Sequence, residues 1–310
     1  MKLFESFRPA NGALYQIARI ILLAIVVSVV LLMVFEDKLI YFPTRYPDGY
    51  WTIEQKCQYN GEILPTIEDC HFSTSDGLML HGWYCSPLPC QNGKGIPVDV
   101  KMVLLWFHGN AGNLSYRYDM IHEMLGIPVE VFIIDYRGYG KSEGTPNETG
   151  LYIDAQAAWE YLTTVKKIEP ERIVIFGKSL GGVPAIDLAT RVKPAGLIVQ
   201  SSFTSAGEMA ARIMPLIPRF ILHTKMDSLT KIGRVNCPKL FVHSRADEVV
   251  PYDLGWKLYE AAQGPKEFYE VKGALHNSTY LIGGKPYFEA LRRFMESIQP
   301  RTKTDPTPDR

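Results

Sequence analysis

The chain has 310 residues, 46% of them hydrophobic, with 33 Lys and Arg against 33 Asp and Glu for a formal net charge of zero. No basic field is available to gather phosphates, which argues against nucleic acid as a partner. The length suits one large α/β domain with an added segment.

The added segment comes first. Ile20 to Phe35 reads "IILLAIVVSVVLLMVF", without a charge and with one polar side chain, Ser28. As a helix it rises about 1.5 Å per residue and falls a little short of a hydrocarbon core of about 30 Å. Leu14, Tyr15, Ile17 and Ala18 extend it if Arg19 snorkels to the interface. A cleaved signal peptide would need small residues after the run, and "EDKLIYFP" supplies none. The expectation is a retained single-pass anchor at 1–42, contacting the bilayer through residues 14–35, followed by a linker and entry segment at 43–69. Lys2, Arg8 and Arg19 precede the span while Lys38 and Arg45 follow it, a bias toward a cytoplasmic N-terminus and a catalytic domain on the other side. Cys57, Cys70, Cys85 and Cys90 cluster after the span. Outside the cytosol they would form two disulfides, Cys57–Cys70 and Cys85–Cys90 being the simplest of three connectivities. The alternative is four ordinary thiols, and a zinc site lacks a tight C-x-x-C pair.

"CHFSTSDG" and "LMLHGWYCS" flank a turn at Asp76-Gly77 and predict an antiparallel hairpin. "VKMVLLWFHG" is an apolar run that suits a strand covered on both faces. Helical pattern follows over Asn113 to Leu125, Gly150 to Lys166, Leu180 to Arg191, Leu254 to Ala262 and Pro286 to Ile298. Strands fall between, at Val129 to Asp135, Ile173 to Phe176, Gly196 to Gln200, Lys239 to Ser244 and Glu267 to Val271. This alternation predicts a mostly parallel sheet with helices on both faces, over 70–299. Phe203 to Asn236 interrupts it with Pro215, Pro218 and many apolar residues, and the polar tail 300–310 reads as disordered.

G-x-S-x-G occurs twice, as "GKSEG" at Gly140–Gly144 and "GKSLG" at Gly177–Gly181. Ser142 is followed by Gly144, Thr145, Pro146 and Asn147, a turn with no helix opening on it. Ser179 stands between a strand and a helix, where a nucleophile is presented on a strained turn. The P-loop reading of "GKS" fails for both copies, because Arg172 and Asp135 stand where the first glycine is required. A serine needs a base, and in this topology the acid and then the histidine follow the ends of later strands. "LFVHSRADEVVP" supplies Asp247 and "YEVKGALHNS" supplies His276, the only histidine beyond Asp247. Asp227 is a rival acid by order, but it lies in the long insertion. For the oxyanion, backbone N–H groups are expected from Leu180 at the helix start and from "HGNAGN", with Asn110 ahead of Ala111.

"HGNAGN", "DYRGYGKSEG", "GKSLGG", "SSFTS", "RADEVVP" and "GALHN" together resemble the α/β-hydrolase superfamily, over about residues 70 to 298. Most similar are its membrane-anchored ABHD-type serine hydrolases, a branch near the prolyl-oligopeptidase-like enzymes that includes protein depalmitoylases. The resemblance implies an α/β-hydrolase fold, Ser179, Asp247 and His276 as a triad, and Asn110 and Leu180 as oxyanion donors. Asp135 and Arg137 become scaffold residues that hold loops, and 203–236 the lid. Its apolar Met209, Ile213, Met214, Leu216, Ile217, Phe220, Ile221 and Leu222 either line an acyl pocket or pack the lid onto the core. Depalmitoylases of this type often carry an N-terminal cysteine cluster for lipidation where this chain has an apolar span. The expected activity is hydrolysis of carboxylic esters or thioesters, lipid-like substrates included, through an acyl-enzyme and without metal or organic cofactor. A serine peptidase and a non-catalytic membrane scaffold are the alternatives.

Overall fold

The structure, a computed structural model, describes residues 11–51, 65–87, 102–213, 215 and 221–299. Strands β1 (Thr66–Ser73) and β2 (Met79–Ser86) form the expected hairpin, and β2 continues antiparallel onto β4 (Val129–Asp135). From there the sheet is parallel: β4 pairs with β3 (Met102–Phe107), then β5 (Ile173–Lys178), β6 (Gly196–Gln200), β7 (Lys239–His243) and β8 (Lys266–Glu270) follow. The eight strands run in the order β1-β2-β4-β3-β5-β6-β7-β8.

The apolar runs are continuous because both faces are covered. Along β3, Val103, Leu105 and Phe107 enter one core with Ile175 and Phe241, while Leu104 and Trp106 enter the other with Phe176 and Val242. This is the two-residue period of a strand doubled by helices on each side. The helices are α2 (Tyr118–Met124), α3 (Glu148–Glu160), α4 (Gly182–Ala189), α5 (Ala206–Ile213), α6 (Ser228–Ile232), α7 (Tyr252–Ala261) and α8 (Thr279–Ser297). The sequence starts the last helix at Pro286; α8 begins at Thr279 and breaks at Gly284 (φ 48°), a conformation glycine adopts freely. Pro286 therefore opens its second half, where a missing N–H costs little.

The N-terminal helix α1 runs Asn11–Ile40. No single helix among the described residues is long and apolar enough to cross a membrane. Tyr15–Leu31 and Met33–Ile40 meet that requirement only together, bent by 50°, where one transmembrane helix was expected. The bend falls where the helix meets the domain: Glu36 is buried, whereas Ile20, Leu22 and Leu23 are exposed. Cys70 and Cys85 are buried free thiols, and their expected partners Cys57 and Cys90 lie outside the described residues, as does the tail 300–310.

Candidate active site

Ser179 follows β5 at the carboxyl edge of the parallel strands and opens a single 3-10 turn, Ser179–Gly181, that leads into α4. Its φ is +54°, a left-handed backbone that a side chain adopts only under constraint. The constraint is close packing. A Cβ on Gly181 would sit 1.9 Å from the Phe107 carbonyl oxygen, so the turn lies directly on the end of β3. Ser202 Oγ donates to the Ser179 carbonyl at 2.9 Å and fixes the turn from β6.

Asp247 stands in the loop after β7 and His276 in the loop after β8. His276 Nε2 lies 3.0 Å from Ser179 Oγ, and its Nδ1 lies 3.0 and 2.9 Å from the two Asp247 oxygens. Nδ1 faces a carboxylate and so carries the proton, leaving Nε2 to accept from the serine. All three residues are buried. Asp247 Oδ1 also accepts from the N–H groups of Val249 at 3.0 Å and Val250 at 2.8 Å. Burial raises the Asp247 carboxyl, but hydrogen bonds from His243 and His276, the charge of His276 and the Val250 N–H outweigh it and hold it well below the usual carboxylate range.

Two contacts here lay beyond the sequence reading. His243, the last residue of β7, places Nε2 3.4 Å from Asp247 Oδ2 and 3.0 Å from the Val250 carbonyl. Facing two acceptors, that nitrogen is the protonated one, and it is a second imidazole on the carboxylate oxygen that His276 also approaches. Glu248 accepts from the His276 backbone N–H at 2.8 Å and holds the histidine loop. The available signal for His243 is Gly255, a glycine inside α7 where a Cβ would meet His243 Nδ1 at 2.0 Å.

Ser142, the rival serine, is engaged elsewhere: its Oγ donates to the Asp135 carbonyl at 2.7 Å and accepts from the His81 N–H at 2.9 Å. Asp227 caps α6 by accepting from Thr230 N and Oγ1. Asp135 accepts from the Leu114 N–H at 2.8 Å, and Arg137 bridges Asp154 and Asp76, so both hold loops.

Asn110 and Leu180 line one cavity of about 320 Å³ together with Ser179. Apart from Glu36, the remaining lining is apolar, with Phe203, Met209, Ile213, Leu222 and Met226, Val249 and Val250, and Leu39, Ile40 and Phe42 among it. Met209, Ile213 and Leu222 thus stand at the cavity, while Met214, Leu216, Ile217 and Phe220 lie outside the described residues. The Asn110 side chain is fully engaged: Oδ1 accepts from the Phe42 N–H at 3.1 Å and from Tyr139 OH at 3.0 Å, and Nδ2 donates to the Ile40 carbonyl.

A parallel sheet entered by an antiparallel hairpin, with serine, acid and histidine after β5, β7 and β8 at its carboxyl edge, defines a hydrolase of the α/β type. A family model described as serine aminopeptidase, S33, matches residues 98–230. Alpha/beta hydrolase domain-containing protein WAV2 of Arabidopsis thaliana is 32% identical over 304 residues, covering 91% of this chain and 94% of its own. Alpha/beta hydrolase domain-containing protein 17B of Homo sapiens is 37% identical over 242 residues, 77% of this chain and 78% of its own. Among solved structures, the Pyrococcus furiosus esterase Pf2001 superposes with a TM-score of 0.64 at 19% identity, over 83% of this chain and 98% of its own, a likeness of fold. The chain belongs to the α/β-hydrolase superfamily, among its ABHD-type proteins.

Proposed function

We propose that the protein is a membrane-anchored serine hydrolase that cleaves carboxylic esters or thioesters through an acyl-enzyme. The observation that carries this reading is the continuous Ser179–His276–Asp247 chain of hydrogen bonds at the floor of an apolar cavity. His276 Nε2 takes the Ser179 proton as Oγ attacks the carbonyl carbon, and Asp247 stabilises the imidazolium that results. The oxyanion is met by the N–H groups of Asn110 and Leu180. His276 then returns the proton to the leaving alcohol or thiol, and repeats the cycle with water to free the acid. The acyl chain lies in the apolar cavity.

The anchoring part of the reading rests on composition: between Tyr15 and Leu31, and again at Met33, Val34 and Phe35, α1 carries exposed apolar side chains that suit contact with lipid. Placement of the catalytic domain on the non-cytoplasmic side rests on Lys2, Arg8 and Arg19 ahead of that segment, and the free thiols Cys70 and Cys85 give it no support. The matching family description favours a second reading, a peptidase that recognises a free amine. Such a site needs a free carboxylate. Among the described lining residues Glu36 is the only acid, and it is occupied by the lid backbone at His223 and Thr224, so the ester reading is preferred.

Assay of the full chain on nitrophenyl esters tests the reading. Ser179→Ala should lose at least about 10⁴-fold in kcat, since removing the nucleophile leaves only binding and the oxyanion hole. Ser142→Ala should keep kcat per folded molecule while losing about 1–3 kcal/mol of stability, because the buried His81 N–H loses its acceptor. Wild-type turnover in Ser179→Ala would refute the assignment.

A further inference from the structure

The segment expected to tether the enzyme is built into its site. After α1 the chain does not leave the domain. Phe42 to Tyr46 lie alongside the oxyanion loop and the "YRGYG" loop, as Thr44 N donates to Gly112 O at 3.0 Å and Gly112 N to Phe42 O at 3.2 Å. Gly140 N donates to Thr44 O at 2.9 Å, and Tyr46 N to Gly140 O at 2.9 Å. The Asn110 side chain closes the set by binding Phe42 N and Ile40 O at once. One turn earlier, the buried Glu36 carboxylate accepts from His223 N at 2.9 Å and Thr224 N at 2.7 Å, joining α1 to the returning arm of the lid. Between these two attachments, Leu39 and Ile40 form part of the cavity wall.

The mouth of the cavity has the same character. Leu39, Phe42, Ile213 and Val249 all line the cavity and all keep large exposed apolar surfaces. Glu36 is the only charged side chain among the described lining residues and is satisfied by His223 and Thr224, while the exposed Asp37 and Lys38 separate Leu39 from Phe35 along α1.

We propose that the last turn of α1 is a working part of the active site: it walls the acyl pocket and positions the oxyanion loop through Asn110. The inference rests on the serine-hydrolase reading and adds to it that α1 sets the length of acyl chain the pocket accepts. Leu39 is a specificity-determining residue and Glu36 a positioning residue. The helix sets both the depth of the pocket and the place of the oxyanion loop, so anchoring and catalysis share one element.

The test uses the full chain in phospholipid nanodiscs, with nitrophenyl esters from acetate to palmitate and rates normalised to Ser179 titrated by a fluorophosphonate. Leu39→Trp fills the wall beside α1. It should lower kcat/KM for palmitate at least tenfold while acetate stays within about threefold, so the chain-length preference shifts. Glu36→Ala should raise KM for palmitate more than for acetate, with Glu36→Gln, which still offers one acceptor oxygen, intermediate. A merely structural role would lower the titrated fraction and leave normalised preference unchanged. Equal effects of Leu39→Trp on both esters, or none, would overturn the inference while leaving the serine-hydrolase reading intact. Wild-type protein that takes no fluorophosphonate and cleaves no ester would overturn both.

Discussion

At the scale of single residues, the site is held by polar contacts that leave little freedom. Asp247 is fixed from four directions, by His276, His243, Val249 N and Val250 N, so the imidazole keeps one tautomer and one orientation. Lys178, next to Ser179, is the opposite case. It is buried, it has no ion pair among the described residues, and burial together with the charge of Arg117 pushes its ammonium down to about 8. A lysine depressed from 10.5 costs the folded state most where it is still charged, below pH 8, and that cost fades as pH rises to 10.5. Lys178→Met should therefore be more stable than wild type at pH 7, with the gain shrinking between pH 8 and 10.5. Denaturant titration across that range checks it, and a variant less stable at pH 7 would show that Lys178 has a partner worth more than its desolvation.

Single residues were also where the sequence was most and least informative. Ser179, Asp247 and His276 were legible because each follows a strand whose apolar run is unmistakable, and order along the chain then selects them. His243 was not, because a histidine closing a buried strand looks the same whether it packs or orients a carboxylate. Asn110 was legible as a residue of the loop after β3. Its side-chain bonds to Ile40 and Phe42 were not, since nothing in local sequence links positions about 70 apart.

At the scale of elements, strands and most helices follow from periodicity, and the departures have physical causes. Gly150 to Lys166 reads as one helix, yet α3 gives way at Tyr161 to a wider turn through Val165. There the Thr163 and Thr164 hydroxyls bond back to the carbonyls of Trp159 and Glu160, which loosens the ladder. The loop after β4 depends on Arg137, which binds buried Asp154 and half-exposed Asp76 together. The Arg137 hydrogen bonds hold Asp76 down to about 2, below its ordinary 3.8, so its contribution to stability is complete above pH 4 and lost as pH falls through about 2. Arg137→Met should cost about 3–5 kcal/mol, because Asp154 stays buried and unpaired. Adding Asp154→Leu should recover most of that loss, and both variants should lose less stability than wild type between pH 4 and 2. Denaturant titration of the two variants at pH 7 and pH 3 is the measurement, and a loss under 1 kcal/mol for Arg137→Met would contradict the account.

At the scale of the whole molecule, α1 changes the picture drawn from sequence alone. Composition divides the chain into an anchor, a linker and a domain, because an apolar helix announces itself and its contacts do not. In the structure the last turn of α1 and the residues after it join the loop after β3, Gly140 and the backbone at Thr224. The proposed anchoring predicts that the full chain stays with membranes through alkaline carbonate extraction, and its release into the soluble fraction would count against it.

The central claim is that hydrolysis proceeds through an ester bond to Ser179. Rapid quenching of the full chain with a nitrophenyl ester, followed by peptide mass mapping, reads that bond directly. The account predicts a burst of nitrophenol close to one per active site and an acyl group on the peptide containing Ser179, with neither in Ser179→Ala. Steady hydrolysis by wild type without a burst and without acyl-Ser179 in the rapidly quenched protein would contradict it.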